Sequence, residues 1–435
     1  MSVYVLSVSK QPLMPTNPAK ARILLKANKA RVVHTTPFAI QLLYSTATEV
    51  QPLTHGVDTG SAVIGSAVTD SRGNVFYASE VDVRNDISAR MKRRAEYRRN
   101  RRQRKTRYRA SRFLNRRNSI RKDRFSPTMV SKIAAHLREV RFVNSILPIT
   151  STILETASFD PHALKNPEVL TNKILYQQGV NDGFASTKAY VLDRDGHRCQ
   201  HRKGNSKDRR LHVHHIIFRR DGGSDDESNL LTLCETCHTG LHKGAIILKL
   251  TGKRKSALRH ATQMNSIRVQ LLRLLPHAQE TFGFITKEHR QLHTGRKEHF
   301  LDAVFIATQG TAPILKTDKV LLKRCIPDGD SQRSKGVRSE TAIPAGKIMG
   351  FRKFDKVRYQ GDVYFIKGRF RTGYAILMRF DGRKVDLKPI PKFTRMKRLA
   401  ARKSWIRAIY LTPPDTTGCG LSKVANGTGP TCTAC

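Results

Sequence analysis

The chain has 435 residues, enough for about three domains of ordinary size. Its 80 Lys and Arg residues outnumber 34 Asp and Glu residues, and the formal net charge is +46 at pH 7. This excess predicts a partner with dense negative charge, which DNA or RNA supplies. No apolar run approaches the roughly 20 residues of a membrane-spanning helix, and the basic stretch lacks the apolar face of an interfacial helix, so no membrane partner is expected.

The first 54 residues predict a small α+β unit. Met1–Ser9 alternates like a strand and lacks the charged segment and apolar core of a secretory signal. Pro12-Leu-Met-Pro15 follows, and then come a predicted helix over Pro18–Ala30 and strand-like alternation at Arg31–His34 and Phe38–Tyr44.

The next segment predicts three strands, the first of which carries an acid at its end. His55-Gly-Val-Asp-Thr-Gly60 opens a strand and turn, and places Asp58 at the end of that strand. Val63–Val68 and Val75–Val81 alternate as two more strands around the turn Asp70-Ser-Arg-Gly73.

From Arg90 to Arg124 almost every second residue is Arg or Lys, with three aromatic residues interleaved and no Gly or Pro. A charged run of this kind is usually disordered or forms a solvated helix face. Good helix formers dominate here, so we expect a helix that becomes fully ordered only against phosphates. The candidate phosphate-binding residues are Arg93, Arg94, Arg98, Arg101, Arg102, Arg104, Arg109, Arg112 and Arg116.

Three acids from distant parts of the chain form a second candidate set. Glu155 lies within Leu147–Phe159, an apolar, β-branched run that predicts a buried strand, and His299 and Asp302 share a predicted helix. A buried acid is costly unless it is paired or bound to metal. Together with Asp58, these carboxylates could hold two Mg²⁺ ions about 4 Å apart for phosphodiester hydrolysis. Taken singly, each acid also fits an ordinary role in a turn, an ion pair or a helix surface.

A histidine-rich finger gives the sharpest signal. His214 and His215 stand side by side on the strand predicted over Arg210–Phe218 and therefore face opposite ways. Asn229 follows in a loop and His238 on the next predicted helix. This is the order of an HNH nuclease finger.

The spacing assigns a role to each of these side chains. His238 and His242 are four residues apart on one helix face, so with His214 they can converge on one Mg²⁺ or a similar ion. His215 is then the general base for the attacking water, and Asn229 braces the backbone or positions the phosphate. The alternative is a set of polar surface residues.

Three cysteines around the histidines predict metal binding rather than disulfides. Cys199 and the Cys234-x-x-Cys237 pair supply most of a structural Zn²⁺ site. Position 202, where a fourth cysteine is expected, is Arg202, and His201 is the alternative fourth ligand.

The remaining segments of the chain are distinguished by apolar runs and by basic, strand-like runs. Ala245–Leu250 predicts a strand and Ser256–Pro276 a helix. From about Ile314 the chain is basic and strand-rich, with alternation at Val363–Ile366 and Tyr374–Phe380, which predicts a small barrel-like module.

These motifs as an ordered set resemble IscB, a family of transposon-associated, RNA-guided nucleases regarded as ancestral to type II CRISPR effectors. The set comprises Pro12-Leu-Met-Pro15, Gly56-Val-Asp58-Thr-Gly60, the arginine-rich run, Ile153-Leu-Glu155, the HNH finger and His299-Phe-Leu-Asp302-Ala303. Arg202 departs from the family pattern, in which a cysteine is common at this point.

The resemblance implies an α/β fold with an RNase H-like RuvC core split in three and an inserted ββα-metal HNH finger. The implied segments are an N-terminal α+β domain (1–54), RuvC parts (55–88, 127–172 and 257–312), an arginine-rich bridge helix (89–126), the HNH domain (173–256) and a C-terminal β-rich module that contacts guide RNA and the target-adjacent motif (313–435).

It also implies a cytoplasmic, prokaryotic RNA-guided DNA endonuclease, a monomer in complex with a guide (omega) RNA and a double-stranded DNA target. Asp58, Glu155, His299 and Asp302 match the RuvC motifs, with two Mg²⁺, and the finger matches the HNH site, with one. The HNH site is expected to cut the guide-paired strand and the RuvC site the displaced strand. The alternatives are an unguided HNH endonuclease with a basic DNA-binding extension, and a non-catalytic RNA-binding protein.

Overall fold

The computed structural model describes residues 2–47, 49–103, 125–202, 208–248, 250–252, 257–293, 296–315, 319–327 and 346–411. The chain divides into two compact units. One is built from Met1–Ala157 and Ser266–Cys435, and the other from Ser158–Asn265. In the described ranges, no helix is both long enough and apolar enough to cross a bilayer.

The elements of the described residues are numbered here in chain order. The strands are β1 (Val3–Leu6), β2 (Pro12–Thr16), β3 (Ala30–Thr35), β4 (Phe38–Leu42), β5 (Leu53–Asp58), β6 (Val63–Asp70), β7 (Asn74–Asp82), β8 (Ile149–Thr156), β9 (Leu211–His215), β10 (Leu230–Cys234), β11 (Gln279–Phe282), β12 (Ile314–Leu315), β13 (Lys319–Cys325), β14 (Lys356–Tyr359), β15 (Asp362–Arg369), β16 (Ala375–Met378), β17 (Lys384–Val385), β18 (Lys397–Ala400) and β19 (Trp405–Leu411). The α-helices are α1 (Pro18–Lys26), α2 (Ile87–Gln103), α3 (Pro127–Asn144), α4 (Pro161–Lys165), α5 (Thr187–Arg194), α6 (Glu235–His242), α7 (Ala257–Leu274), α8 (Gly283–His293) and α9 (His299–Thr308).

The N-terminal segment is the α+β unit that its sequence predicts. Its sheet has the order β2-β1-β4-β3, and α1 packs over it. Asn17 caps α1 by accepting a hydrogen bond from the amide of Lys20, and Pro18 occupies the first turn. The helix ends at Lys26, earlier than predicted, and the chain turns through Asn28, whose φ is 52°.

The first unit is organised around an eight-stranded sheet with the order β11-β8-β5-β6-β7-β13-β19, in which β12 pairs with β7. β5, β8 and β11 run parallel, whereas β5, β6 and β7 form an antiparallel meander. The α3 face carries Val68 and Tyr77, and the α9 face carries their neighbours Ala67 and Ala78. Because successive side chains of a strand point to opposite faces, the two helices cover opposite sides of the sheet.

Two glycines let α9 lie directly against the strands. A Cβ at Gly56 would lie 2.3 Å from the carbonyl oxygen of Ala303, and one at Gly65 would lie 1.9 Å from that of His299. Any larger residue would push the helix away. From Phe300 to Thr308 every residue of α9 is buried, as expected for a helix that is apolar on all sides.

The C-terminal region differs from the predicted module in its extent. Its own sheet is a five-stranded antiparallel arrangement, β17-β16-β15-β14-β18, around a separate apolar core. The flanking strands β13 and β19 pair with each other and join the central sheet through β7.

The second unit contains a two-stranded antiparallel hairpin, β9 and β10, followed by α6. Its small core gathers Leu231, Leu233 and the three cysteines. Phe159 and Asn265, near the two ends of the unit, exchange hydrogen bonds of 2.8 and 2.7 Å between the backbone of Phe159 and the amide side chain of Asn265. The prediction of a strand at Ala245–Leu250 is wrong for the described part of that segment. Ile246 packs on the core there without pairing to another strand.

Candidate functional site

The carboxylates of the first unit meet at one end of the central sheet. Asp58 ends β5, and its register partner on the parallel strand β8 is Glu155, so both side chains leave the same face on neighbouring strands. That face is covered by α9, where His299 Nδ1 lies 2.6 Å from Asp58 Oδ2. Asp302 follows His299 by three residues, almost one helical turn.

Burial and mutual repulsion make this cluster electrostatically costly without a cation. Burial, together with the negative charges of Asp58 and Asp302, raises the pKa of Glu155 to about 7. Burial also raises the pKa of Asp302, an effect that the Arg290 guanidinium beside it opposes. The hydrogen bond to Asp58 raises the pKa of His299. Shifts of this kind are typical of functional carboxylates.

A helix that the sequence did not predict completes the cluster. In α8, Arg290 Nη1 donates a hydrogen bond to Asp302 Oδ1, and the Thr286 hydroxyl donates one to the Glu155 carboxylate. Glu155 Oε2 is buried and lacks a hydrogen-bond partner among the described residues. A divalent cation would satisfy that oxygen, so the donor set fits a hard metal ion.

The second unit brings three histidines together. The ring nitrogens that His214, His238 and His242 could offer to a metal all lie within 4.8 Å of one another. His214 comes from β9, and the other two from α6. His214 Nε2 is buried without a hydrogen-bond partner among the described residues. A divalent ion bound by imidazole nitrogens fits this spacing.

Electrostatics favour the neutral form, which ligates metal, for two of these imidazoles. Burial, together with the neighbouring histidines, lowers the pKa of His214 to about 4. Burial and His242 lower the pKa of His238 as well. His212, which was not predicted from the sequence, stacks its ring on that of His238 with 4.9 Å between centroids. Its position two residues before His214, on the same strand face, was the available signal.

His215 lies on the other face of β9 and is held by an acid that the sequence reasoning also missed. Its Nε2 lies 2.9 Å from Asp225 Oδ1, which also accepts a 2.6 Å hydrogen bond from Arg219 Nε. When Nε2 carries the proton and donates to Asp225, Nδ1 keeps its lone pair. A lone pair on Nδ1 can accept a proton from water.

Asn229 braces the loop between the two faces of the finger. Its Nδ2 donates to the carbonyl oxygens of Ile217 at 3.0 Å and Ser224 at 2.8 Å, and its Oδ1 accepts from the amide of Ile217 at 2.9 Å. The side chain is fully buried. Of the two roles that the sequence leaves open for Asn229, these hydrogen bonds support bracing of the backbone.

The cysteines form a third cluster, in the core of the second unit. The sulfur atoms of Cys199, Cys234 and Cys237 lie within 4.8 Å of one another, and all three side chains are buried. Burial and the neighbouring thiols raise the pKa of Cys237 to about 12. His201 Nδ1 lies 3.6 Å from Cys237 Sγ. Three thiols and an imidazole are a ligand set that zinc uses.

The arginine-rich segment begins as the predicted helix. In α2, Arg93, Arg94, Arg98 and Arg102 are exposed, and Arg93 Nε donates to the Tyr97 hydroxyl at 2.9 Å. Arg101 lies in the same helix. The remaining four candidates lie outside the described residues, namely Arg104, Arg109, Arg112 and Arg116.

Family comparisons match two separate regions of the chain. Residues 3–179 match the RRXRR protein family. Residues 197–244 match the HNH endonuclease family, and they span the three clustered histidines together with His215 and Asn229. The HNH match implies a divalent metal in this region.

Similarity to individual proteins is local or weak. Anaredoxin of Nostoc sp. (strain PCC 7120 / SAG 25.82 / UTEX 2576) is 52% identical over 33 residues, which are 8% of this chain and 43% of that protein. The chain thus matches less than half the length of this curated relative.

Two solved structures of Streptococcus thermophilus Cas9 are weakly similar to part of this chain. The complex with the AGAA PAM has a TM-score of 0.33 at 12% identity, covering 59% of this chain and 32% of that one. The complex with the GGAA PAM has 0.32 at 14%, covering 56% and 32%. Similarity at this level carries no conclusion about activity. The chain therefore contains an RRXRR region and the HNH domain of a metal-dependent DNA endonuclease.

Proposed function

We propose that this protein is an RNA-guided DNA endonuclease with two active sites. The observation that carries the proposal is the presence of two different clusters of candidate metal ligands, carboxylates in one unit and imidazoles in the other. The two strands of a DNA duplex run in opposite directions, so two active sites of different design suit their cleavage. The HNH site would cut the guide-paired strand and the carboxylate site the displaced strand, in the cytoplasm of a prokaryotic cell.

The carboxylate site would be the active centre of an RNase H-like RuvC core. Strands from distant chain segments support this, because β5, β8 and β11 lie side by side although residues 158–265 form a separate unit between β8 and β11. The core would comprise residues 55–88, 127–172 and 257–312. Asp58, Glu155 and Asp302 would face the scissile phosphate, with His299 holding Asp58 in place.

Two Mg²⁺ ions would bind at the carboxylates, whose oxygen ligands suit that ion, and one Mg²⁺ or a similar divalent ion would bind at the histidines. Bound there, the metal would polarise the phosphodiester and lower the pKa of the attacking water. In the HNH site the Nδ1 lone pair of His215 would take the proton of that water, while Asp225 stabilises the imidazolium that forms. Asn229 would keep the loop carrying Asp225 in register with β9.

The arginine-rich segment would bind guide RNA, because its exposed guanidinium groups can neutralise phosphates. Sequence choice would then rest on base pairing, and the protein would read heteroduplex geometry and a short flanking motif. The C-terminal sheet would contribute contacts to RNA and to that motif. One monomer would act with one omega RNA and a double-stranded DNA target.

Plasmid cleavage by the purified protein, with and without its co-transcribed RNA and Mg²⁺, tests the function. We expect linear product only when RNA, a matching target and Mg²⁺ are all present. Cutting that needs Mg²⁺ but not RNA would instead indicate an unguided HNH endonuclease. Tight RNA binding without any cleavage would indicate a non-catalytic RNA-binding protein.

We also propose that the cysteine cluster with His201 binds structural zinc, which would join parts of a unit too small for a large core. The protein should then hold about one zinc ion. Cys237→Ser should remove the zinc and lower the unfolding temperature, whereas Cys325→Ser, at a cysteine outside the cluster, should do neither. Metal analysis of both variants, with thermal unfolding, measures this. A zinc-free native protein would refute the assignment.

A further inference from the structure

Two exposed phenylalanines flank a glycine beside the carboxylate cluster. Phe282 ends β11 and Phe284 lies in the first turn of α8, with exposures of 38% and 70%. Their ring centroids are 6.2 Å apart, and their planes differ by 7°. Two large apolar rings held parallel in water lose hydrophobic stabilisation that a core position would provide. The arrangement is therefore suited to an external ligand.

The position of the pair fixes what could reach it. In the parallel pairing of β11 with β8, Thr281 is the register partner of Glu155, and Phe282 that of Thr156. A Cβ at Gly283, between the two rings, would lie 3.0 Å from Glu155 Oε1. The glycine that joins the two phenylalanines thus lies against Glu155, one of the carboxylates that would face a phosphodiester.

The chemistry of a nucleotide matches this layout. When a phosphate of a DNA strand binds at the carboxylate cluster, the base of the same nucleotide lies within one nucleotide length of it. In a single strand, the π faces of that base are free to stack. Aromatic rings stack on any base, and basic groups hold the backbone, which is how sequence-independent single-strand binding works. Lys287, exposed on the same helix as Phe284, supplies positive charge. The net charge of +46 supplies long-range attraction.

We propose that Phe282 and Phe284 form a stacking platform for an unpaired base of the DNA strand that enters the carboxylate site. This inference rests on the proposed nuclease function of that site. The platform would hold the strand next to the reacting phosphate without reading its sequence.

Binding can be measured without cleavage in the Asp58→Ala/His215→Ala protein. The probe is a single-stranded DNA oligonucleotide that carries 2-aminopurine, whose fluorescence is quenched by stacking. Phe284→Ala should remove most of the quenching and weaken binding by about tenfold, because one stacking contact is lost. Phe284→Trp should retain both. Leu292→Ala is the matched control, since Leu292 is a 73% exposed apolar residue on the same helix.

Cleavage gives an independent measurement. In the His215→Ala background, Phe284→Ala should slow nicking of the displaced strand by about tenfold, with an unchanged salt dependence because no charge is removed. In the Asp58→Ala background it should leave nicking of the guide-paired strand as it was.

Two results would overturn the platform. One is a Phe284→Ala variant that matches Leu292→Ala in quenching, affinity and nicking. The other is stronger quenching with an RNA oligonucleotide of the same sequence, which would assign the rings to guide RNA. Failure of the proposed function would look different, because displaced-strand nicking would then survive Asp58→Ala whatever the fluorescence shows.

Discussion

Asp58→Ala is expected to leave a protein that nicks only the guide-paired strand, and His215→Ala one that nicks only the displaced strand. Asp58 accepts from His299 and shares its strand end with Glu155, so its loss removes a carboxylate from the centre of the cluster. His215 belongs to the other unit, where its side chain pairs with Asp225. Loss of a general base slows a reaction by about 10²–10⁴-fold, and we expect a loss at least as large for the carboxylate.

Target DNA labelled on either strand measures the two activities separately. Asp362→Asn, an exposed acid of β15, and His277→Ala, an exposed histidine outside both clusters, are the controls and should cut both strands at the wild-type rate. The assignment fails when either active-site variant still makes double-strand breaks at full rate. It is reversed when each variant spares the strand predicted to be lost.

Lys323→Met should destabilise the first unit by about 3–5 kcal/mol, because it leaves Glu139 charged and unpaired in the core. Both side chains are fully buried, and Lys323 Nζ donates to the two Glu139 oxygens at 2.7 and 2.6 Å. Tyr77 and Ser79 each donate to Glu139 at 2.9 Å. The pair joins α3 to β7 and β13, so three elements depend on it.

Urea or thermal unfolding at pH 7 measures this loss. Lys397→Met, at an exposed lysine of β18, is the matched control and should change the free energy of unfolding by less than about 0.5 kcal/mol. The double variant Lys323→Met/Glu139→Leu should regain most of the stability, since a buried ion pair replaced by apolar groups is often neutral. A single variant as stable as the control would contradict the expectation.

The same pair makes stability depend on pH in one direction. Burial opposes ionisation of Glu139, but the charge of Lys323 and the hydrogen bonds to the carboxylate prevail and lower its pKa from 4.5. A lowered folded pKa means that the unfolded chain binds more protons. The stabilisation is therefore complete above pH 4.5 and is lost as the pH falls through the folded pKa.

The sequence predicted the strands that carry Asp58 and Glu155 and the helix that carries Asp302, since their apolar periodicity is strong. It missed α3, because Lys132, His136 and Glu139 on its buried face are polar and hide the apolar pattern.

β11 and α8 were missed for a related reason. β11 is four residues long with only partly buried or exposed side chains, and α8 buries a single residue, Thr286. The positions of Arg290 and the two phenylalanines beside the carboxylates are therefore seen only in the structure. Asp225 lies in a loop with several acids, and the sequence spacing does not indicate which of them pairs with His215.

The hydrogen bonds between Phe159 and Asn265 bring the entry and exit of the second unit side by side. A polypeptide that leaves a fold and returns at nearly the same point behaves as a cassette. It can be lengthened, exchanged or lost in evolution without unravelling its host, and the same junction offers protein engineers a place to splice in a different catalytic head.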